Sequence, residues 1–166
     1  GADDVGRFVH HDHRGGAERG LELAAAVEIH EQVSAAFEIA HRGPDCFRFE
    51  NVNHFQNCAF GFHRLAIVDD LNVMQPIRIV SMPHIWMIYN GEIYNHQELR
   101  AQFETSYTFQ TQSDCEIILA LYQEKGSAFL DDLNGIFGFA IYDSNKDEYF
   151  VARDHMGIIP LYIGWD

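Results

Sequence analysis

Basic residues are scarce in this 166-residue chain: 11 Lys and Arg stand against 25 Asp and Glu, a formal net charge of −14. That balance repels a polyanion such as DNA or RNA, whose binding needs clustered cations, and no basic cluster occurs anywhere. Cysteine is scarce as well. Cys46, Cys58 and Cys115 are odd in number and lack CxxC spacing, which argues against a structural zinc or a disulfide framework and points to a reducing, cytoplasmic compartment. No apolar run approaches the length of a membrane span. No cationic start leads into an apolar block, so no secretory leader is read. Repeats and low-complexity linkers are missing, which leaves no internal domain boundary. What is present is 47% hydrophobic and 22% charged, an ordinary globular composition with enough length for a real core.

Residues 1 to 16 read as poorly structured, with scattered glycines and the cluster His10, His11 and His13; residues 5 to 9 allow a short strand. The histidines are read as adventitious ligands at most, and no metal site is expected. From 17 to 166 the chain reads as one domain. Residues 17 to 40 are helical in pattern, with Val33, Phe37 and Ala40 on one face, and His41-Arg42-Gly43-Pro44-Asp45 ends that helix. Strands are expected at 46–50 and 58–68, then at 76–80 and 85–89 with Ser81-Met82-Pro83-His84 between them. Asn95 with Glu98, and Ser113 with Glu116, read as capping boxes of two helices. Gly126 ends the second, and a short helix continues to Leu133. Asn134-Gly135 reads as a turn. The hairpin of 136–143 and 148–153 follows, then a last strand from Pro160 to Trp165. Hairpins dominate and βαβ alternation is missing, so the fold class is α+β, helices layered on mostly antiparallel sheets.

The chemistry gathers at Asn90-Gly91-Glu92. Asn90 can aim an N–H donor outward, and Gly91 lets its backbone approach a ligand closely. The pair suits a developing oxyanion, and Glu92 suits a substrate ammonium. On these residues alone a plain Asn-Gly hairpin turn is preferred. Arg64 sits in an apolar run, where an unpaired cation is unfavourable; a salt bridge to Asp69, Asp70 or another carboxylate and a clamp on a substrate carboxylate remain equally open. Asp114 falls in the first turn of a helix, where it interacts with the helix dipole or supplies a second anion facing an ammonium.

Several signatures stand in one order: His41-Arg-Gly-Pro-Asp45, Phe62-His-Arg-Leu-Ala-Ile-Val-Asp69, Met74-Gln-Pro76, Tyr89-Asn-Gly-Glu-Ile-Tyr-Asn95 and Ser113-Asp-Cys-Glu116. Phe129-Leu-Asp-Asp-Leu-Asn-Gly135, Gly138-Phe-Ala-Ile-Tyr-Asp143, Ala152-Arg-Asp154 and Gly157-Ile-Ile-Pro-Leu161 complete the set. From about His41 to Trp165 the chain resembles the amino-terminal, glutamine-hydrolysing domain of asparagine synthetases, a class II glutamine amidotransferase of the amino-terminal-nucleophile hydrolase type. The resemblance implies a four-layer αββα sandwich that releases ammonia from glutamine. It also implies a following synthetase domain in which ATP and magnesium activate aspartate. No cofactor is expected in this chain, no nucleic acid or membrane partner is expected, and a homodimer is left open. By the same resemblance Arg64 binds the glutamine α-carboxylate, and the backbone of Leu65, Ala66, Ile67 and Val68 lines the pocket. Asn90 and Gly91 form the oxyanion hole, and Glu92 and Asp114 hold the α-ammonium. The Asn90-Gly91 turn is then expected to face the substrate carbonyl. The family's nucleophile is a cysteine at the mature amino terminus, whereas this chain reads Gly1-Ala2-Asp3 and ends near Trp165, before the family's closing strands. The chain as written is therefore expected to release no ammonia, and a nucleophile-less glutamine-binding or regulatory relative, or an inactive fragment, is the alternative.

Overall fold

The structure, a computed structural model, describes residues 7–8, 33–52, 58–64 and 75–162. Its strands are β1 (Arg7–Phe8), β2 (Cys46–Val52), β3 (Cys58–Arg64), β4 (Ile77–Ile79), β5 (Met82–Ile93), β6 (Gly135–Asp143) and β7 (Glu148–Arg153). Its helices are α1 (His96–Gln102) and α2 (Glu116–Lys125), with 3-10 segments at Ala40–Arg42 and Gly126–Asp132. Residues 33–37 are helical as well. The strands form a five-stranded sheet in the order β1-β7-β6-β5-β4 and a two-stranded sheet of β2 and β3. All named pairings are antiparallel.

The layers follow from strand periodicity. In β5, Ile85, Met87 and Tyr89 enter the main core with Ile117, Ile118 and Leu121 of α2 and Phe137, Phe139 and Ile141 of β6. Each fully buried Ile, Leu or Phe contributes roughly 1.5–3 kcal/mol of hydrophobic stabilisation. The alternate residues Trp86 and Ile88 face the other way, against Val52, Cys58 and Phe60 of the second sheet. On that sheet's outer face Phe37 stacks on Phe47 with ring centroids 4.5 Å apart, and the Ala36 carbonyl lies 2.9 Å from His63 Nε2. The described residues thus run helix, sheet, sheet, helices: the α+β, αββα layering expected of the chain.

The sequence expectations need correcting at several places. Asn90-Gly91-Glu92 is no turn. β5 continues through Ile93, with Asn90 opposite Gly138 and Ile93 opposite Gly135. Gly135 therefore opens β6 instead of closing a turn, and the turn between β4 and β5 is the two residues Val80-Ser81. Neither capping box forms. Asn95 donates its Nδ2 to the Asp132 carbonyl at 2.8 Å and accepts from Asn134 N–H at 3.0 Å, binding α1 to the approach of β6. Glu116 is fully buried and accepts from the N–H groups of Gln110 and Thr111 at 2.8 and 2.7 Å, so it organises the incoming loop. Gly126, at φ 60°, does end α2. Residues 160–162 are not strand. Within the segment read as poorly structured, Arg7 and Phe8 pair with Phe150 and Tyr149, at the short strand that residues 5 to 9 allowed. The rest of the 17–40 helix before residue 33, the histidine cluster, the 65–68 part of the second strand and residues 163–166 lie outside the described residues.

Candidate functional site

β5 carries the candidate residues beyond the reach of β4, whose register with it runs from Ile79↔Met82 to Ile77↔Met87. Past that point the side chain of Gln75 serves as a strand partner. Its Oε1 accepts from Tyr89 N–H at 2.6 Å and its Nε2 donates to the Tyr89 carbonyl at 2.8 Å. Four residues on, Ile93 N–H donates to Asp114 Oδ2 at 2.7 Å. Both N–H groups are turned to partners other than β6. Gly91 lies midway, and the two-residue strand period puts its N–H on the same edge. Among the described residues no strand pairs with β5 there. Glycine is required at this point: φ is 142°, and a Cβ would run into the Ile136 carbonyl and come within 2.6 Å of Phe137 Cα. Asn90 shares the sheet face of Trp86 and Ile88, the face turned to the second sheet. Asn90, Gly91 and Glu92 are all exposed.

Asp114 precedes α2 but acts on β5. Its Oδ2 accepts from Tyr89 Oη–H at 2.8 Å as well as from Ile93 N–H, and its Oδ1 accepts from Ser113 Oγ–H at 3.4 Å. Burial, and then the Asp114 charge beside it, push the Tyr89 phenol above its ordinary range, so it remains a neutral donor. A cavity of about 510 Å³ opens here, lined by Glu92, Ile93, Tyr94, His96, Gln112, Ser113 and Asp114. Its volume falls within the usual range of small-molecule sites, roughly 300–1,000 Å³. The two carboxylates read from the sequence as ammonium ligands thus line one cavity, beside the strand edge that carries Gly91.

Arg64 lies elsewhere, at the end of β3 in the second sheet. Its Cα partner is Cys46, it bridges to Pro44, and its carbonyl accepts from Asp45 N–H at 3.1 Å. The Arg-Gly-Pro-Asp loop therefore packs on the Arg64 backbone, closely enough that a Cβ on Gly43 would collide with His63 and Arg64. Arg64 does not line the cavity. Leu65, Ala66, Ile67 and Val68, together with Asp69 and Asp70, are outside the described residues.

The cysteines do not offer a nucleophile to the cavity. Burial pushes Cys58 up to about 11 and Cys115 up to about 12, so both are neutral thiols near pH 7, and the thiolate is the reactive form. Cys46 is exposed, on the second sheet opposite Arg64. Two contributors escaped the sequence reading. Tyr89 looked like a core residue, although a buried tyrosine hydroxyl regularly finds a partner. Gln75 stood in the sequence only as the middle of Met74-Gln-Pro76, and its buried side chain with two bonds to the Tyr89 backbone reveals it as a strand partner.

Fold and site together define a layered α+β protein with a strand edge that no described strand covers, a glycine on it beside an amide, and two carboxylates at a shared cavity. The chain belongs to the glutamine amidotransferase domain family, whose model matches residues 21–166. It is similar to asparagine synthetase (glutamine-hydrolyzing) of Homo sapiens, 51% identical over 132 residues, and to that of Bos taurus, 52% identical over 132 residues. The Gallus gallus enzyme of the same name is 51% identical over the same length. Each match covers 79% of this chain, which spans 23% of the length of these relatives. No described helix is long and apolar enough to cross a membrane.

Proposed function

We propose that the chain is the glutamine-binding, ammonia-releasing part of a glutamine-dependent asparagine synthetase. The observation that carries the reading is the meeting of Glu92 and Asp114 on one cavity beside the Asn90-Gly91 edge. Glutamine carries one ammonium, one carboxylate and one carboxamide. Glu92 and Asp114 receive the ammonium, where charge-assisted hydrogen bonds are the strong ones. Arg64, and the backbone of Leu65, Ala66, Ile67 and Val68, are assigned to the α-carboxylate end.

Attack on the carboxamide carbon turns its oxygen into an anion. The Asn90 Nδ2–H and the Gly91 N–H are the donors proposed to receive that charge, and pre-aimed donors of this kind are worth about 3–4 kcal/mol each in acyl transfer. The proton lost as the thiol becomes a thiolate passes to the amide nitrogen, collapse of the tetrahedral adduct expels ammonia, and water then releases glutamate from the acyl intermediate and restores the thiol. The attacking thiolate is assigned to none of the described residues.

The relatives are named as glutamine-hydrolyzing enzymes, which supports a glutaminase over a binding module without chemistry. The ammonia is proposed to serve aspartate amidation in a synthetase portion, a proposed partner of this domain. The ATP and magnesium of that step are assigned to the partner, and none to this chain. A cytoplasmic location fits such a metabolic role.

Calorimetric titration with glutamine, asparagine and glutarate tests the reading. Saturable binding of glutamine, with asparagine and glutarate much weaker, is expected. Equal affinity for all three, or none for glutamine at millimolar concentration, refutes it.

A further inference from the structure

Asp154 is a buried carboxylate that the proposed reaction does not use. It follows β7 and is 3% exposed. Its Oδ1 accepts from the N–H groups of Met156 at 3.0 Å and Ile158 at 3.2 Å. Its Oδ2 accepts from Phe137 N–H at 3.3 Å and Ile159 N–H at 3.4 Å. Its own N–H donates to the Phe137 carbonyl at 2.8 Å, and its carbonyl accepts from Gly157 N–H at 2.9 Å. Burial by itself raises its pKa, but the N–H groups of Ile158, Ile159, Phe137 and Met156 outweigh that and hold it below the ordinary value. The carboxylate knots the 154–159 loop to β6.

The place of the knot gives it meaning. Phe137 is the cross-strand neighbour of Gly91, and Gly138 is that of Asn90. The loop lies on β6 where Gly138 leaves room: a Cβ there would sit 2.8 Å from Ile159 Cγ2 and 3.6 Å from Leu161 Cδ2. Residues directly opposite each other in an antiparallel pair share a face. Ile159 and Leu161 therefore stand on the sheet face from which Asn90 projects.

We propose that Asp154 is a positioning residue for the Asn90-Gly91 donor pair. Its carboxylate presses the 156–161 segment onto Gly138, so that Ile159 and Leu161 wall the Asn90 carboxamide on its apolar side, and it holds Phe137 in place behind Gly91. The wall limits the rotamers open to Asn90, which strengthens an oxyanion contact by aiming the donor beforehand. Only the ligand in this inference rests on the proposed glutamine function; the ordering of Asn90 and Gly91 stands apart from it.

The test compares wild type with Asp154→Asn, which removes the charge, and with Ile159→Ala, which removes part of the wall and leaves the Asp154 hydrogen bonds in place. Nitrogen-15 resonances of the Asn90 side-chain amide and the Gly91 N–H are followed without ligand, and glutamine affinity is measured by calorimetry. Both variants are expected to move the Asn90 resonance and to weaken glutamine binding at least tenfold at temperatures where they remain folded. A folded Ile159→Ala protein with Asn90 and Gly91 at their wild-type positions overturns the proposal, and so does such an Asp154→Asn protein. If Asp154→Asn does not fold, Ile159→Ala decides alone. If wild type binds no glutamine, the functional reading fails and the Asn90 and Gly91 resonances still decide the positioning role.

Discussion

Replacing Asp114 by Asn tests the ammonium assignment at the carboxylate that the fold holds in place. Oδ2 of Asp114 accepts from both Tyr89 Oη–H at 2.8 Å and Ile93 N–H at 2.7 Å. An asparagine oxygen in the same place keeps both bonds and loses only their charge assistance, so the fold is destabilised by about 1–2 kcal/mol. The ligand suffers more. A hydrogen bond to a charged group is worth about 1.5–3 kcal/mol, and every 1.4 kcal/mol is about tenfold in affinity. Asp114→Asn is therefore expected to weaken glutamine by about 10- to 150-fold, with Glu92→Gln in the same direction. The assay is calorimetry with glutamine and with 4-carbamoylbutanoate, which keeps the carboxylate and carboxamide but has no α-amine. Wild type prefers glutamine, and Asp114→Asn narrows that preference while barely changing the amine-free ligand. An equal loss for both ligands, or no loss for glutamine, refutes the assignment of Asp114 to the ammonium.

Gly91→Ala combines a backbone collision at Ile136 with a φ of 142°; strain and overpacking of this kind together destabilise by about 3 kcal/mol or more, visible as a lower urea midpoint. Glu116→Gln puts an amide where a carboxylate accepts from Gln110 N–H, Thr111 N–H and Thr111 Oγ–H, and a loss of about 1–3 kcal/mol is expected, with faster hydrogen exchange at residues 110 and 111. At alkaline pH the unfolded Tyr89 phenol ionises near its ordinary 10.0 while the folded one does not. The stability it contributes is therefore complete below pH 10 and lost as pH rises above that value. Tyr89→Phe makes the alkaline loss shallower, the remainder coming from the other raised groups, the phenols of Tyr107, Tyr122 and Tyr149 and the thiols of Cys58 and Cys115; an unchanged slope in Tyr89→Phe refutes this.

Much of the architecture is legible in the sequence because it rests on local pattern. The 136–143 and 148–153 hairpin, the apolar face of α2 and its stop at Gly126 all follow from alternation, periodicity and a glycine at positive φ. The candidate site is read from residue type: a glycine, an amide and two carboxylates. What is hidden depends on partners far along the chain. Asn-Gly reads as a turn, yet β6 pairs with β5 from Ile85 through Ile93, and only that pairing turns the Gly91 N–H to the other edge. Asn95 and Glu116 have the spacing of capping residues, but their hydrogen bonds go to Asp132 and Asn134 and to Gln110 and Thr111. Tertiary packing decides these cases, because a polar group takes whichever partners the packing brings, and short-range spacing does not record them.

The central claim is that the edge of β5 and the cavity beside Asp114 together receive glutamine. A nitrogen-15 chemical-shift titration of the folded protein with glutamine tests it most directly. The account predicts saturable shifts at the Gly91, Glu92 and Ile93 N–H groups and at the Asn90 side-chain amide, with the N–H groups of Ser113 and Asp114 moving at the same midpoint. Shifts confined to other parts of the protein, or none at millimolar glutamine, contradict it.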